Sequence, residues 1–178
     1  MVEEDLHIRR AVTTDARLLS VLSSVTFFDT FHGTCTNEDI QGFIETSFNP
    51  EQVYKELQDP DDFYFIAFIN GEAAGYIRLK EDESDVIEIK KHKSIELKRI
   101  YVTKEYHSQK IGAKLMNFAL DFAAEKNYEL IWLGVWEHNE KAKAFYKKFG
   151  FEDTGHKHNF PIGNTSQTDN WLIKFIKN

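Results

Sequence analysis

The sequence predicts an α/β protein of the α+β kind: a mixed, mostly antiparallel central sheet with one parallel βαβ unit, flanked by helices. Three observations predict it. Two β-favouring runs meet at Asn70-Gly71, a residue pair suited to a tight two-residue hairpin turn. A strand–helix–strand–helix order then occupies residues 95–149, as a parallel crossover requires. Leu130–Trp136 is an unbroken apolar run, the pattern of a strand covered on both faces.

In chain order, Leu6–Val12 alternates as a first strand, and Thr13-Thr14-Asp15 reads as a helix cap. Ala16, Leu18, Leu19, Leu22, Val25, Thr26 and Phe28 follow at helical spacing. A second helix after Asn37 carries Ile40, Phe43 and Ile44, and a third after Pro50 carries Val53, Tyr54 and Leu57. Proline suits a first turn, where its missing N–H would be unpaired anyway. Phe63–Ile69 and Ala73–Leu79 form the hairpin. Residues 80–93 are charged and read as an exposed connection, with Lys90-Lys91-His92-Lys93 as a solvated hairpin tip. Ile95–Val102 is a strand, and Lys110–Lys126 a helix with Ile111, Leu115, Phe118, Ala119 and Phe122 on one face. After the apolar strand, a helix from Asn139 to Phe149 stops at Gly150, a natural C-cap. Phe151–Lys157 and Trp171–Ile176 close the sheet. With three prolines, nine glycines and no repeat, residues 1–178 are expected to form a single domain.

Composition narrows the function. The formal net charge is −7, which repels nucleic acid and anionic membrane and favours cationic small molecules. No stretch approaches the roughly 20 apolar residues of a membrane helix, and the acidic start lacks a signal peptide's basic, then apolar, order. Cys35 is the only cysteine, which excludes an internal disulfide and multi-cysteine metal sites. The expectation is a cytoplasmic protein without a metal.

Three local features carry chemistry. Tyr106–Lys114 joins strand to helix and includes Gly112 and Ala113, which let a ligand near the backbone, and Lys110 and Lys114. A helix start offers unpaired N–H groups and partial positive charge, so it suits phosphate; a plain packing loop fits the same residues. In the preceding strand, Ile95 and Leu97 are apolar at odd positions, whereas Ile100 and Val102 are apolar at even ones. A period-2 strand does this through an extra residue, which places a β-bulge near Lys98-Arg99, or by facing different neighbours at its two ends with no bulge. In the last helix, Asn139, Ala142, Lys143 and Tyr146 share one stripe, and Tyr146 sits at the edge of the apolar face. An N-cap asparagine and a boundary tyrosine explain the same stripe.

Together these parts resemble the GNAT superfamily of N-acetyltransferases along nearly the whole chain. Asn139-x-x-Ala142-x-x-x-Tyr146-x-Lys148-x-Gly150-Phe151 is a close match to the family's second half. The family's phosphate loop, Gln/Arg-x-x-Gly-x-Gly/Ala, fits less well. One register aligns His107 with the Gln/Arg, Lys110 with the first glycine and Gly112 with the last. The other begins at Gln109 and places Lys114 at the second small position. Trp132–Glu137 and Gln167-Thr168-Asp169 also look like the PaiA-type group of spermidine/spermine acetyltransferases.

The resemblance implies transfer of an acetyl group from acetyl-CoA, as co-substrate, to a primary amine such as a polyamine. It implies that the backbone of Ile100, Tyr101 and Val102 holds the pantetheine arm and polarises the acetyl carbonyl. The loop residues His107, Ser108, Gln109, Lys110, Ile111, Gly112 and Ala113 would take the pyrophosphate. Asn139 and Ala142 would contact the pantetheine arm, and Lys148 a phosphate. Tyr146 would protonate the departing thiolate. Glu96, in the strand before the bulge, would accept the amine's proton through water, unless a lysine of a neighbouring strand pairs with it. Phe28, Asp29, Trp136 and Glu137 are expected to line the acceptor site. Two other roles remain compatible with the sequence: an acetyl-CoA sensor, or acetylation of a protein N-terminus or lysine. A homodimer is expected of the family, but no segment marks an interface.

Overall fold

The computed structural model describes residues 6–81 and 84–176. Its elements are β1 (Leu6–Arg10), α1 (Ala16–Phe31), α2 (Asn37–Ser47), α3 (Pro50–Gln58), β2 (Asp62–Ile69), β3 (Glu72–Lys80), α4 (Ile87–Lys90), β4 (Ser94–Val102), α5 (Ile111–Glu125), β5 (Leu130–Trp136), α6 (Glu140–Lys148), β6 (Glu152–Asn159) and β7 (Thr168–Phe175). The seven strands form one sheet in the order β1-β2-β3-β4-β5-β7-β6, antiparallel except for the β4–β5 pair. This is the mixed sheet with one parallel βαβ unit that the sequence predicts.

The signals that define the elements are local. Thr36 and Asn49 cap α2 and α3 by accepting from the backbone N–H groups of Asp39 and Gln52, and Pro50 occupies the first turn of α3. Asn70 and Gly71 both take positive φ in the β2–β3 turn. At the end of α6 the Phe151 N–H bonds the Tyr146 carbonyl and the Gly150 N–H bonds that of Lys147, the Schellman closure for which Gly150 supplies φ +80°.

One face of the sheet packs on α5. Ile77, Leu79, Ile95, Leu97, Ile131 and Leu133 meet Ile111, Leu115, Met116 and Ala119 there. The other face carries α1 and α3, where Leu19, Leu22 and Val53 meet Tyr64, Ile66 and Tyr76. Burying each large aliphatic side chain is worth roughly 1.5–3 kcal/mol, so these two layers hold the sheet.

Two expectations are corrected. Val25 and Phe28 do not face the core: α1 turns Leu19, Leu22, Thr26, Phe27 and Phe31 inward and leaves Val21, Val25 and Phe28 exposed. The segment before β4 is not an exposed connection either, residues 82–83 lying outside the described ones. Val86 and Ile89, three apart across α4, are buried against Leu130 and Trp132. Lys90–Lys93 is accordingly no hairpin tip. It leads from α4 into β4, and Lys93 donates to the Lys126 carbonyl at 2.8 Å while lying over the Tyr128 ring.

Candidate active site

The site begins where two strands part. β4 pairs with β5 only from Ser94 to Glu96, opposite Leu130 to Trp132. Beyond Glu96, β4 stays on β3 as far as Val102, and β5 stays on β7 as far as Trp136. The two inner edges diverge and leave main-chain groups facing a gap. The divergence coincides with a bulge: Arg78 pairs with Arg99 but Leu79 with Leu97, so Lys98 is the extra residue. Ile95, Leu97, Ile100 and Val102 therefore all pack on the α5 side, as the phase break requires. On β3, Gly75 lets β4 approach: a Cβ there would stand 2.5 Å from the Tyr101 carbonyl oxygen.

The gap opens into a cavity of about 1460 Å³, lined by Glu96–Val102, the α5 entry, one side of α6 and the inner ends of α1–α3. At its donor end the loop before α5 is wound tightly. Ser108 and Lys110 both have positive φ, and Lys110 is the residue preceding the helix. Lys110 therefore holds the backbone shape that glycine adopts most easily, at the position where the first register of the phosphate loop puts its first glycine. His107 Nε2 donates to the Val102 carbonyl at 2.9 Å, tying the loop to the end of β4. Gly112 lies in the first turn of α5, on the cavity lining. A Cβ there would meet Val102 and Phe145 at 3.8 and 3.9 Å, ordinary contacts, so internal packing does not require the glycine. These first-turn amides and Lys110 fit a pyrophosphate.

Other expected donor residues divide. Ile100, Tyr101, Val102, His107, Ser108, Lys110, Ile111, Gly112, Ala113, Asn139, Ala142 and Tyr146 all line the cavity. Asn139 Oδ1 caps α6 by accepting from the Ala142 N–H, which leaves its amide nitrogen to donate to a ligand. Gln109 and Lys148 are not on the lining, Lys148 being exposed on another side of α6, whereas Lys141 is on it. Of the expected acceptor residues, Asp29 and Trp136 line the cavity, and Phe28 and Glu137 do not. Phe28 is on the outer face of α1, stacked on His32, and Glu137 faces Lys157 at 2.8 Å. Asp29 is held by Lys104 at 2.6 Å.

Tyr146, from α6, and Glu96, from β4, meet in the gap with a third group that the sequence did not single out as catalytic. Asp169 of β7 lines the cavity and lies over Gly134 of β5, where a Cβ would be 3.1 Å from Asp169 Oδ2. Burial, helped by the charge on Glu96, pushes the Asp169 carboxyl up to about 6. Burial, with the Asp169 charge adding to it, pushes the Tyr146 phenol well above its ordinary value, so it stays protonated. Glu96 is in an ion pair with Lys98 at 2.7 Å, a lysine of its own strand rather than a neighbouring one. Nothing in the string Gln167-Thr168-Asp169 announces a buried carboxylate; its environment is set by a glycine 35 positions earlier.

At the acceptor end, Phe27, Phe31, Phe43, Phe48, Trp136 and Phe160 form an aromatic wall, with Phe27 stacked on Phe43 at 4.5 Å. Beside it runs a closed polar network. Arg78 binds Asp62 at 2.6 Å and Glu56 at 3.1 Å, Tyr64 donates to Glu56, and Arg99 donates to Tyr64 while lying over Phe48. Asp39 of α2 fastens the β6–β7 connection by accepting from the Asn164 N–H at 3.0 Å and the Thr165 hydroxyl at 2.8 Å. Among the described residues no group of acidic, histidine or cysteine side chains is arranged to hold a metal, and no helix is long and apolar enough to cross a membrane.

Comparison with known proteins agrees with this geometry. The family model described as the Acetyltransferase (GNAT) family matches residues 28–151. An uncharacterized N-acetyltransferase in the pepI 3′ region of Lactobacillus delbrueckii subsp. lactis is 35% identical over 155 residues, covering 87% of this chain and 88% of the relative. Among solved structures, the PaiA N-acetyltransferase of Thermoplasma acidophilum in complex with coenzyme A superposes with a TM-score of 0.77 at 23% identity, over 96% of this chain and 99% of that one. A probable acetyltransferase of Staphylococcus epidermidis gives 0.73 at 21% identity, over 97% and 99%.

Proposed function

The chain belongs to the GNAT acetyltransferase family and is an acetyl-CoA-dependent N-acetyltransferase; from that premise we propose that its acceptor is a small cationic primary amine of the polyamine class. The observation that carries the transferase chemistry is the parted β4–β5 edge beside a helix N-terminus, a slot for a pantetheine arm with a phosphate seat at its end. In this reading the β4 amides from Ile100 to Val102 orient the thioester and draw charge onto its carbonyl oxygen. The α5 entry, with Gly112, Ala113 and Lys110, takes the pyrophosphate, and Lys141 is better placed than Lys148 to help. Tyr146 gives its proton to the departing thiolate. Proton removal from the acceptor falls to the carboxylates in the slot, Glu96 and Asp169.

The polyamine assignment has its own support. Asp29, Glu56 and Asp62 are already in ion pairs. Two carboxylates on the lining, Asp85 and Asp169, have no hydrogen-bond or ion-pair partner among the described residues, and Trp171 lies on the same wall. Two anionic points beside an aromatic face suit a chain with more than one ammonium. The net charge of −7 favours its approach. The test is thiol release from acetyl-CoA with spermidine beside a panel of monoamines and an N-terminal alanyl peptide. Transfer to spermidine is expected, with a KM that rises several-fold in Asp85→Asn. Transfer to another amine but none to spermidine would reject the assignment.

A further inference from the structure

Building on the acyl-transfer reading above, we propose that Asp169 is the base that takes the proton from the acceptor ammonium, and that Glu96 acts on Asp169 from across the slot instead of accepting that proton itself. The case rests first on placement. Asp169 stands on β7, opposite Trp136 of β5, and its carboxylate leans over Gly134, in the stretch of β5 that β4 has left. Gly134 leaves room for that carboxylate at the mouth of the gap. Tyr146 enters the same gap from α6, where the Asp169 charge helps keep its phenol protonated. A proton acceptor for the incoming amine and a proton donor for the leaving thiolate are thus provided by different elements meeting in one slot.

The second argument is the contrast between the two carboxylates. Glu96 is engaged by the Lys98 ammonium at 2.7 Å. That contact ties the Glu96 carboxylate to its own strand. Asp169 has no hydrogen-bond or ion-pair partner among the described residues, and it is substantially buried. The groups that face it are Glu96 and Tyr101 from β4, Tyr146 from α6 and His158 from its register position on β6, with Gly134 and Trp136 from β5. Burial and the Glu96 charge together bring its titration to about 6, near the range where a carboxylate is both ionised and basic enough to be useful.

The step balances. The Asp169 carboxylate takes one proton from R–NH3⁺. The freed lone pair attacks the thioester carbon, and the C–S bond breaks as the tetrahedral adduct collapses. The thiolate takes the Tyr146 hydroxyl proton, and the second proton lost by nitrogen restores the phenol. Asp169 then releases its proton to solvent. The net change is R–NH3⁺ plus acetyl-CoA to the acetamide, CoA–SH and one proton.

The experiment compares wild type, Asp169→Asn and Glu96→Gln. The acceptor is whichever of spermidine, tyramine and an alanyl tripeptide the wild type acetylates fastest. Each protein is measured for kcat/KM against pH and, separately, for acetyl-CoA affinity by calorimetry. Wild type should show an acid limb near pH 6. Asp169→Asn should lose about 10²-fold or more in kcat/KM at neutral pH and lose that limb, with acetyl-CoA affinity within a few-fold of wild type. Glu96→Gln should keep the limb but move it to lower pH, because one negative charge beside Asp169 is gone. A limb that persists in Asp169→Asn and vanishes in Glu96→Gln overturns the proposal and makes Glu96 the base. Activity of Asp169→Asn within a few-fold of wild type overturns it too. A wild type without affinity for acetyl-CoA would instead remove the transferase reading on which the proposal stands.

Discussion

Tyr146 is kept neutral by its surroundings, and that is what a proton donor to a thiolate needs. Replacing it with Phe keeps the packing against Phe145 and Phe151 and removes only the hydroxyl. Turnover should fall about 10²-fold or more while acetyl-CoA affinity stays within a few-fold; unchanged kcat would take Tyr146 out of that role. Asp169 makes the opposite kind of prediction, about stability. Its folded pKa of about 6 lies above the ordinary carboxylate value. Above pH 6 the folded state holds a buried charge that the unfolded chain holds in water, so the group weighs against folding there. As pH falls through 6 the folded carboxyl takes up its proton and the penalty fades; below about 4 both states are protonated. Asp169→Asn should therefore raise Tm at pH 8 by more than at pH 4.5. Calorimetric scans at the two pH values check this, and an equal shift at both would contradict the assigned titration.

Among the elements, β4 shows what was legible in the sequence. Its alternation fails at one point, which the sequence explains by a bulge or by ends that face different neighbours, and the register shift at Lys98 decides for the bulge. The Asn70-Gly71 turn, the Leu130–Trp136 run and the α5 stripe were readable because each signal lies within its own element. The orientation of α1 was not, because its apolar residues surround the helix and only the packing decides that Phe27 goes in and Phe28 out. α4 was hidden by brevity: two apolar residues in a charged stretch are too few to show a period. The left-handed turn at Lys110 has no local cause, since lysine does not favour it. The bulge separates length from chemistry. Deleting Lys98 would remove the bulge and its bend while Ile95, Leu97, Ile100 and Val102 stay in plain alternation on the α5 face, whereas Lys98→Ala keeps the bulge. The deletion should keep the fold by circular dichroism but markedly weaken acetyl-CoA binding by calorimetry, and Lys98→Ala should bind acetyl-CoA within a few-fold of wild type; a deletion that binds as well as wild type would take the bulge out of the donor slot.

On the scale of the whole molecule, the cavity has two differently built ends. The donor end comes from the consecutive elements β4, α5, β5 and α6, and the acceptor end from α1–α3 together with β6–β7. Asp39 joins the two parts of the acceptor end across 126 residues of sequence, where a Cβ on Gly163 would collide with it. Asp39→Ala should loosen the connection that carries Phe160 and raise the acceptor KM several-fold, with acetyl-CoA affinity unchanged. A loss of donor affinity instead would show that the two ends are not separable. The missed residue, Asp169, lies in the segment after residue 151, beyond the stretch that matches the family model. That division has a consequence for descent. A protein whose thioester slot is built by consecutive elements, with Phe160, Asp169 and Trp171 supplied from further along the chain, can change the amine it modifies by substitution in the later segment. The part that handles the thioester need not take part in that drift.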